Sequence, residues 1–133
     1  MKNKRGFTLV EIMIVVAIIA LLVAIAIPNL LGARRAANDA AAKANLKTLA
    51  TELETYAAST GAGNYPNLTE LQAQSAAATK YLGTTCTSSA GCGGFIYTVG
   101  SMGSGGYSVT ASPVSNQTGT SNYTITSGGA LTP

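Results

Sequence analysis

The sequence predicts an α+β protein: a long N-terminal α-helix, apolar in its first half and amphipathic in its second, packed on a small antiparallel β-sheet of three or four strands. Three observations predict it. Sixteen consecutive apolar residues run from Ile12 to Ile27. An Ala-rich stretch without proline follows from Asn29 to about Thr60, with Leu46, Leu49, Leu53 and Tyr56 at spacings of three and four. The last 53 residues, from Tyr81, hold 11 of the 15 glycines and no charged side chain, and are punctuated by short β-branched and aromatic runs.

The first element is the most strongly written. From Phe7 to Ile27 are 21 residues, which as a helix at ~1.5 Å per residue match a hydrocarbon core of roughly 30 Å. Lys2, Lys4 and Arg5 precede it, while Arg34, Arg35 and Asp39 follow. That balance puts the N-terminus in the cytoplasm and the bulk of the chain across the membrane. Ala24-Ile-Ala26 has the small-residue spacing of a signal-peptide cleavage site, yet the apolar run exceeds the usual ~7 to 15 residues of such signals. It also carries an acid, Glu11, where an ionised side chain costs about 2.5 to 3.5 kcal/mol at the bilayer centre and less near the edge. A disposable signal has no evident use for it. Pro28 lacks the N–H that would reach the carbonyl of Ala24, and its ring crowds that carbonyl, so a helix break is expected there. Gly32 is a second weak point.

Beyond Pro28 the Leu46 to Tyr56 stripe is expected to face the sheet, with Asp39 and Lys43 as a supporting i,i+4 pair on the wet side. Arg34 and Arg35 are expected to snorkel at the outer membrane surface. Gly61-Ala-Gly63 stops the helix, and Asn67-Leu-Thr-Glu70 has the form of a capping box opening a short helix to about Ala78. Phe95-Ile-Tyr-Thr-Val99, Tyr107-Ser-Val-Thr-Ala111 and Tyr123-Thr-Ile-Thr126 supply the strands. Cys86 and Cys92 flank a short Gly/Ser-rich loop on the exported side, where disulfides form, and are expected to pair. Two thiolates without other ligands make a poor metal site.

Composition narrows the chemistry. With no His, one Asp, four Glu and two Cys, the chain cannot build a His-containing triad, a His-ligated metal site or a four-Cys zinc site. No phosphate-binding glycine motif occurs. An enzyme is therefore not expected, nor a catalytic residue, metal, cofactor or small-molecule substrate. Past Lys47 the only basic residue is Lys80, which leaves no stripe for phosphates, so no nucleic acid partner is expected.

Gly6 followed by Phe7-Thr-Leu-Val-Glu11-Ile-Met-Ile-Val-Val-Ala-Ile-Ile and closed by Pro28 resembles the N-terminal signature of the bacterial type IV pilins and related pseudopilins. The resemblance covers residues 1 to about 30 closely and the remainder only through the general plan of a long helix and a small sheet. It implies a leader peptide of residues 1–6, an apolar membrane and filament-core helix over 7–28, and a small α+β domain over 29–133. It further implies that a prepilin peptidase cuts between Gly6 and Phe7 and methylates the new Phe7 amine, and that assembly machinery polymerises the chain with copies of itself. Glu11 would then serve as the acid that sets register, and the subunit would pass from inner membrane to a surface pilus. The most similar member type is a major pilin. A pseudopilin or minor pilin of a type II secretion or DNA-uptake system is the alternative. Where the family often has Gly in the apolar helix, this chain has Ala20, the better helix former by about 1 kcal/mol. The formal charge of +3 and pI near 9.0 belong to Lys2, Lys4 and Arg5. The chain from Phe7 onward has five basic and five acidic side chains and sums to zero.

Overall fold

The computed structural model describes residues 6–133 apart from Ser88 and Ala90. The basic residues Lys2, Lys4 and Arg5, on which the expected membrane orientation rests, and the leader up to Arg5 lie outside the described residues. The chain divides into two compact units between Ala33 and Arg34. One helix, α1 (Leu9–Ser59), begins in the first unit and ends in the second.

In the first unit every large apolar side chain from Leu9 to Leu31 is exposed. The helix runs through Pro28 without interruption, which corrects the break expected there. A proline removes one N–H and crowds one carbonyl. The alanines and leucines on either side, Ala20, Leu21, Leu22, Ala24 and Ala26 before it and Leu30, Leu31, Ala33, Ala36 and Ala37 after it, are good helix formers that carry the helix past it.

The second unit is built on the later half of α1. Asp39, Ala42, Leu46, Leu49, Ala50, Leu53 and Ala57 are buried, a stripe at spacings of three and four that lies against the sheet and the short helices. Tyr56, expected on this stripe, is half-buried at its edge. The stripe also begins earlier than expected, and this overturns the reading of Asp39. Its side chain does not pair with Lys43 in water. It is only 7% exposed, and it accepts hydrogen bonds from the Thr120 backbone N–H at 3.1 Å and the Thr120 hydroxyl at 2.6 Å. Lys43 instead places its ammonium 4.6 Å from the centre of the Tyr123 ring, a cation–π arrangement.

After α1 the chain turns through Ala62 (φ 48°) and Gly63 (φ 90°), where glycine spares the left-handed conformation its steric cost. The capping box at Asn67 and Glu70 forms as the spacing predicts, with Glu70 N–H to Asn67 Oδ1 at 2.9 Å and Asn67 N–H to Glu70 Oε2 at 3.0 Å. It opens α2 (Leu68–Gln74), but the helix expected to continue to Ala78 breaks at Ser75. Ser75 is extended, and its hydroxyl caps a new helix, α3 (Ala76–Leu82), by accepting from Ala78 N–H at 2.8 Å. Serine competes with the helix for backbone groups, which is why it favours such junctions. One further turn, α4 (Thr84–Thr87), carries Cys86.

Four strands follow: β1 (Phe95–Gly103), β2 (Gly106–Pro113), β3 (Tyr123–Thr126) and β4 (Ala130–Thr132). They form one antiparallel sheet in sequential order. Alternation works as the pleat requires. Phe95, Tyr97, Tyr107, Val109, Ala111, Tyr123 and Ile125 face the core, and the register pairs Val109 with both Val99 and Ile125. A bulge at Gly100 between Val99 and Ser101 resets β1 before the hairpin. The second unit is thus the later half of a long helix packed on a four-stranded antiparallel sheet.

Candidate functional site

The chemistry of the first unit is concentrated at the N-terminus of α1. Gly6 and Phe7 precede the helix in exposed, non-helical backbone, and Phe7 is 85% exposed. Thr8 is the residue at the cap. Its backbone N–H donates to Glu11 Oε2 at 2.7 Å and its hydroxyl to the same oxygen at 2.8 Å, while Glu11 N–H returns a bond of 3.2 Å to Thr8 Oγ1. This is a capping box, and its sequence signature, Thr-x-x-Glu before an apolar run, stands in plain sight at Thr8-Leu-Val-Glu11. The resemblance gives Glu11 the role of the register-setting acid; the structure adds Thr8 as its hydrogen-bond partner. Phe7 N is an amide here, and Thr8 gives the Glu11 carboxylate its partners.

Behind this cap lies a helix whose best 18-residue window has a mean hydropathy of 3.2, with its apolar side chains uncovered. Water-soluble monomers rarely expose more than a few hundred Å² of contiguous apolar surface. By length and composition such a helix suits a bilayer or a bundle of like helices. Gly6 and Phe7 lie just before the helix, five and four residues ahead of Glu11, and it is Thr8 that meets the Glu11 carboxylate. Pro28 stands apart from them in the helix interior.

In the second unit the expected cysteine pair is joined: Cys86 and Cys92 form a disulfide with Cα atoms 5.0 Å apart. A second polar cluster was not foreseen. Glu54 on α1 accepts from the Tyr65 hydroxyl at 3.1 Å and from Gly128 N–H at 2.7 Å. The Tyr65 and Tyr107 rings meet edge to face, 5.0 Å between centres. The Tyr107 hydroxyl is buried with no ordinary hydrogen-bond partner among the described residues. Burial, and then the nearby Glu54 carboxylate, push its pKa up to about 12. Burial likewise raises Tyr97, against the bond Asn45 Nδ2 makes to its hydroxyl at 2.8 Å, and Tyr65, where the Glu54 hydrogen bond adds to the effect. These tyrosines tie α1 to the sheet and to the turn before β4. Among the described residues no three His, Cys, Asp or Glu side chains converge as a metal site would need. An open groove of about 650 Å³ beside Lys47, Glu54 and Gly128 presents Thr51 and Thr55, whose hydroxyls are already donated to α1 carbonyls.

Comparison with known proteins bears on the N-terminal segment. Residues 1–27 match the family described as the prokaryotic N-terminal methylation motif. The chain is 52% identical over 56 residues to the major component of the type IV wide pilus of Thermus thermophilus, covering 42% of this chain and 43% of the relative. It is 52% identical over 54 residues to the type IV major pilin of Myxococcus xanthus, covering 41% of this chain and 24% of that one. Against the type II secretion system core protein G of Escherichia coli it is 40% identical over 54 residues, 41% of this chain and 37% of the relative. The chain thus spans less than half the length of each of these relatives. Over the part they cover, the matches support the type IV pilin family.

Proposed function

We propose that this chain is a structural subunit of a type IV pilus. It is inserted in the inner membrane as a prepilin with a cytoplasmic N-terminus and a single membrane pass. A prepilin peptidase cuts it between Gly6 and Phe7, Phe7 is methylated on its amine, and the subunit polymerises with copies of itself through Phe7 to Ile27 into a surface filament. Its role is mechanical and non-enzymatic, with no cofactor, nucleic acid or small-molecule substrate. The observation that carries the reading is the acid Glu11, capped by Thr8 in the first turn of a helix with an uncovered apolar surface and four residues after Phe7 in the sequence.

Cleavage changes the electrostatics of that turn. It turns the Phe7 amide into an amine, and an amine and a carboxylate about 4 Å apart attract by roughly 4 kcal/mol at an effective dielectric of 20, before desolvation is subtracted. A helix cap contributes about 1 kcal/mol. The amine, of the same chain or of a neighbour, gives Glu11 a charged partner beside its Thr8 bonds, and gives otherwise unspecific apolar helices a register. The matches to the type II secretion core protein G and to a competence protein of Halalkalibacterium halodurans, 39% identical over 54 residues, favour a pseudopilin or minor pilin as the second reading. Glu11→Ala tests the proposal. Membrane insertion and a mature N-terminal mass beginning at methyl-Phe7 are expected to persist while surface fibres are lost. Normal fibre formation by that variant would refute the registering role, and a mature mass beginning at Ile27 would refute the family reading.

A further inference from the structure

The β2–β3 connection is held from two sides. On the helix side, Asn38 Nδ2 donates to the Thr118 carbonyl at 2.9 Å, and Asp39 accepts the two bonds from Thr120 already described. Gly119 is buried between them, where any Cβ would overlap the Phe95 ring and Asp39 Oδ1. On the other side stands the turn from Cys92 to Phe95, closed by Cys92 N–H to Phe95 O at 2.7 Å and Phe95 N–H to Cys92 O at 3.1 Å. The Gly94 carbonyl accepts from Val114 N–H at 2.9 Å. A Cβ on Gly94 would lie 2.8 Å from Thr118 Cβ and 3.1 Å from Asn38 Nδ2, and one on Gly91 would lie 2.8 Å from Val114 Cγ2. The connection is a strap pressed between α1 and the residues that follow the disulfide loop.

That support is poor at holding its own shape. Gly91, Gly93 and Gly94 all have left-handed φ, at 59°, 61° and 83°, and glycine loses more conformational freedom on ordering than any other residue. Among the described residues, the Cys92–Phe95 pair of hydrogen bonds and the disulfide are the restraints within the segment itself. Cys86, at the other end of the disulfide, is fully buried in the core, so the bond fastens a glycine-rich turn to a fixed point. We propose that the Cys86–Cys92 disulfide is the lock on this strap. With the bond closed, residues 114–120 are clamped on Asn38 and Asp39. With it open, the strap leaves the helix while the sheet stays paired.

The opening reaction balances with a dithiol reductant. Its thiolate attacks at Cys92, the less buried of the two cysteines, and Cys86 leaves as the thiolate. The second thiol of the reductant resolves the mixed disulfide, so the protein takes up two electrons and two protons and the reductant becomes a cyclic disulfide. The test is amide hydrogen exchange on the full chain in detergent micelles, with and without dithiothreitol. Reduction is expected to accelerate exchange at Val114 and Thr120 by about tenfold or more, with the β2–β3 ladder at Val109 and Ile125 unchanged. Unchanged exchange at Val114 and Thr120 overturns the proposal, as does equal acceleration at Val109 and Ile125. Asp39→Ala, with the disulfide closed, gives an independent arm. Because the coupling is reciprocal, freeing the strap from the helix side must make the disulfide easier to reduce, and an unaltered dithiothreitol equilibrium overturns the lock.

Discussion

Asp39→Ala is the substitution whose cost follows most directly from the geometry. The carboxylate accepts one bond from a backbone N–H at 3.1 Å and one from a hydroxyl at 2.6 Å, both of Thr120. Hydrogen bonds to charged groups contribute about 1.5 to 3 kcal/mol each. Thr120 itself is exposed, so its released donors can turn to water, which places each bond near the low end. The expected loss is about 3 kcal/mol. Asparagine keeps one carbonyl oxygen for the backbone N–H and can offer an N–H to the Thr120 oxygen, so Asp39→Asn should cost about 1 to 1.5 kcal/mol. For the unit of 100 residues from Arg34 to Pro133, about 4 to 8 °C of Tm per kcal/mol makes the alanine shift at least roughly 12 °C. Thermal unfolding of the full chain in detergent, followed by near-ultraviolet circular dichroism of the tyrosines, reads both values. An alanine variant within about 0.5 kcal/mol of the parent would refute the reasoning, since surface substitutions fall in that range. So would an asparagine variant as damaging as alanine, because the argument rests on acceptor geometry.

Two further outcomes follow from the core. Leu49 is completely buried on the α1 stripe, so Leu49→Ala should destabilise the second unit by about 2 to 5 kcal/mol in denaturant titration, with the spread set by how far the site collapses. Tyr107 retains its proton in the folded state to about pH 12, against an ordinary value of 10.0. Its contribution is therefore intact below about pH 10 and is lost as pH rises toward about 12, because the unfolded chain ionises first. Tyr107→Phe removes a buried hydroxyl that lacks an ordinary partner. It should leave stability at pH 7 unchanged or raised and make the alkaline decline shallower; a large loss at neutral pH would mean the hydroxyl is bonded after all.

The elements that local pattern controls were legible. The apolar run, the Leu46–Leu49–Leu53 stripe, the Asn67 capping box and the three β-branched runs each carry their signal within a few residues, and each formed. Leu131 alone marks β4 as more than a tail, which is why the strand count stayed between three and four. The expectation at Pro28 weighs one residue, while the helix around it is held by many bonds. Ser75 was invisible as a break because its hydroxyl both caps α3 and donates to Glu52, a partner 23 residues upstream. Thr8 differs again: the Thr-x-x-Glu capping signature at Thr8–Glu11 is local and legible, but it coincides with the acid that the apolar signature already explains.

Asp39 shows where local pattern fails and composition could have helped. Its spacing from Ala42 and Leu46 puts it on the buried stripe, yet an acid four residues before Lys43 looks like a surface pair. The second half of the chain decides between them. From Tyr81 to Pro133 there is no charged side chain, so an acid of α1 that faces the sheet can meet only neutral donors there. Both that do so meet them: Asp39 takes the Thr120 N–H and hydroxyl, and Glu54 takes Gly128 N–H together with Tyr65. Neutral donors on the backbone are fixed in direction, unlike a lysine on a flexible stem. Each carboxylate therefore holds a particular loop at a particular turn of the helix, which in a sheet joined by glycine-rich connections is the restraint that the strands alone do not provide.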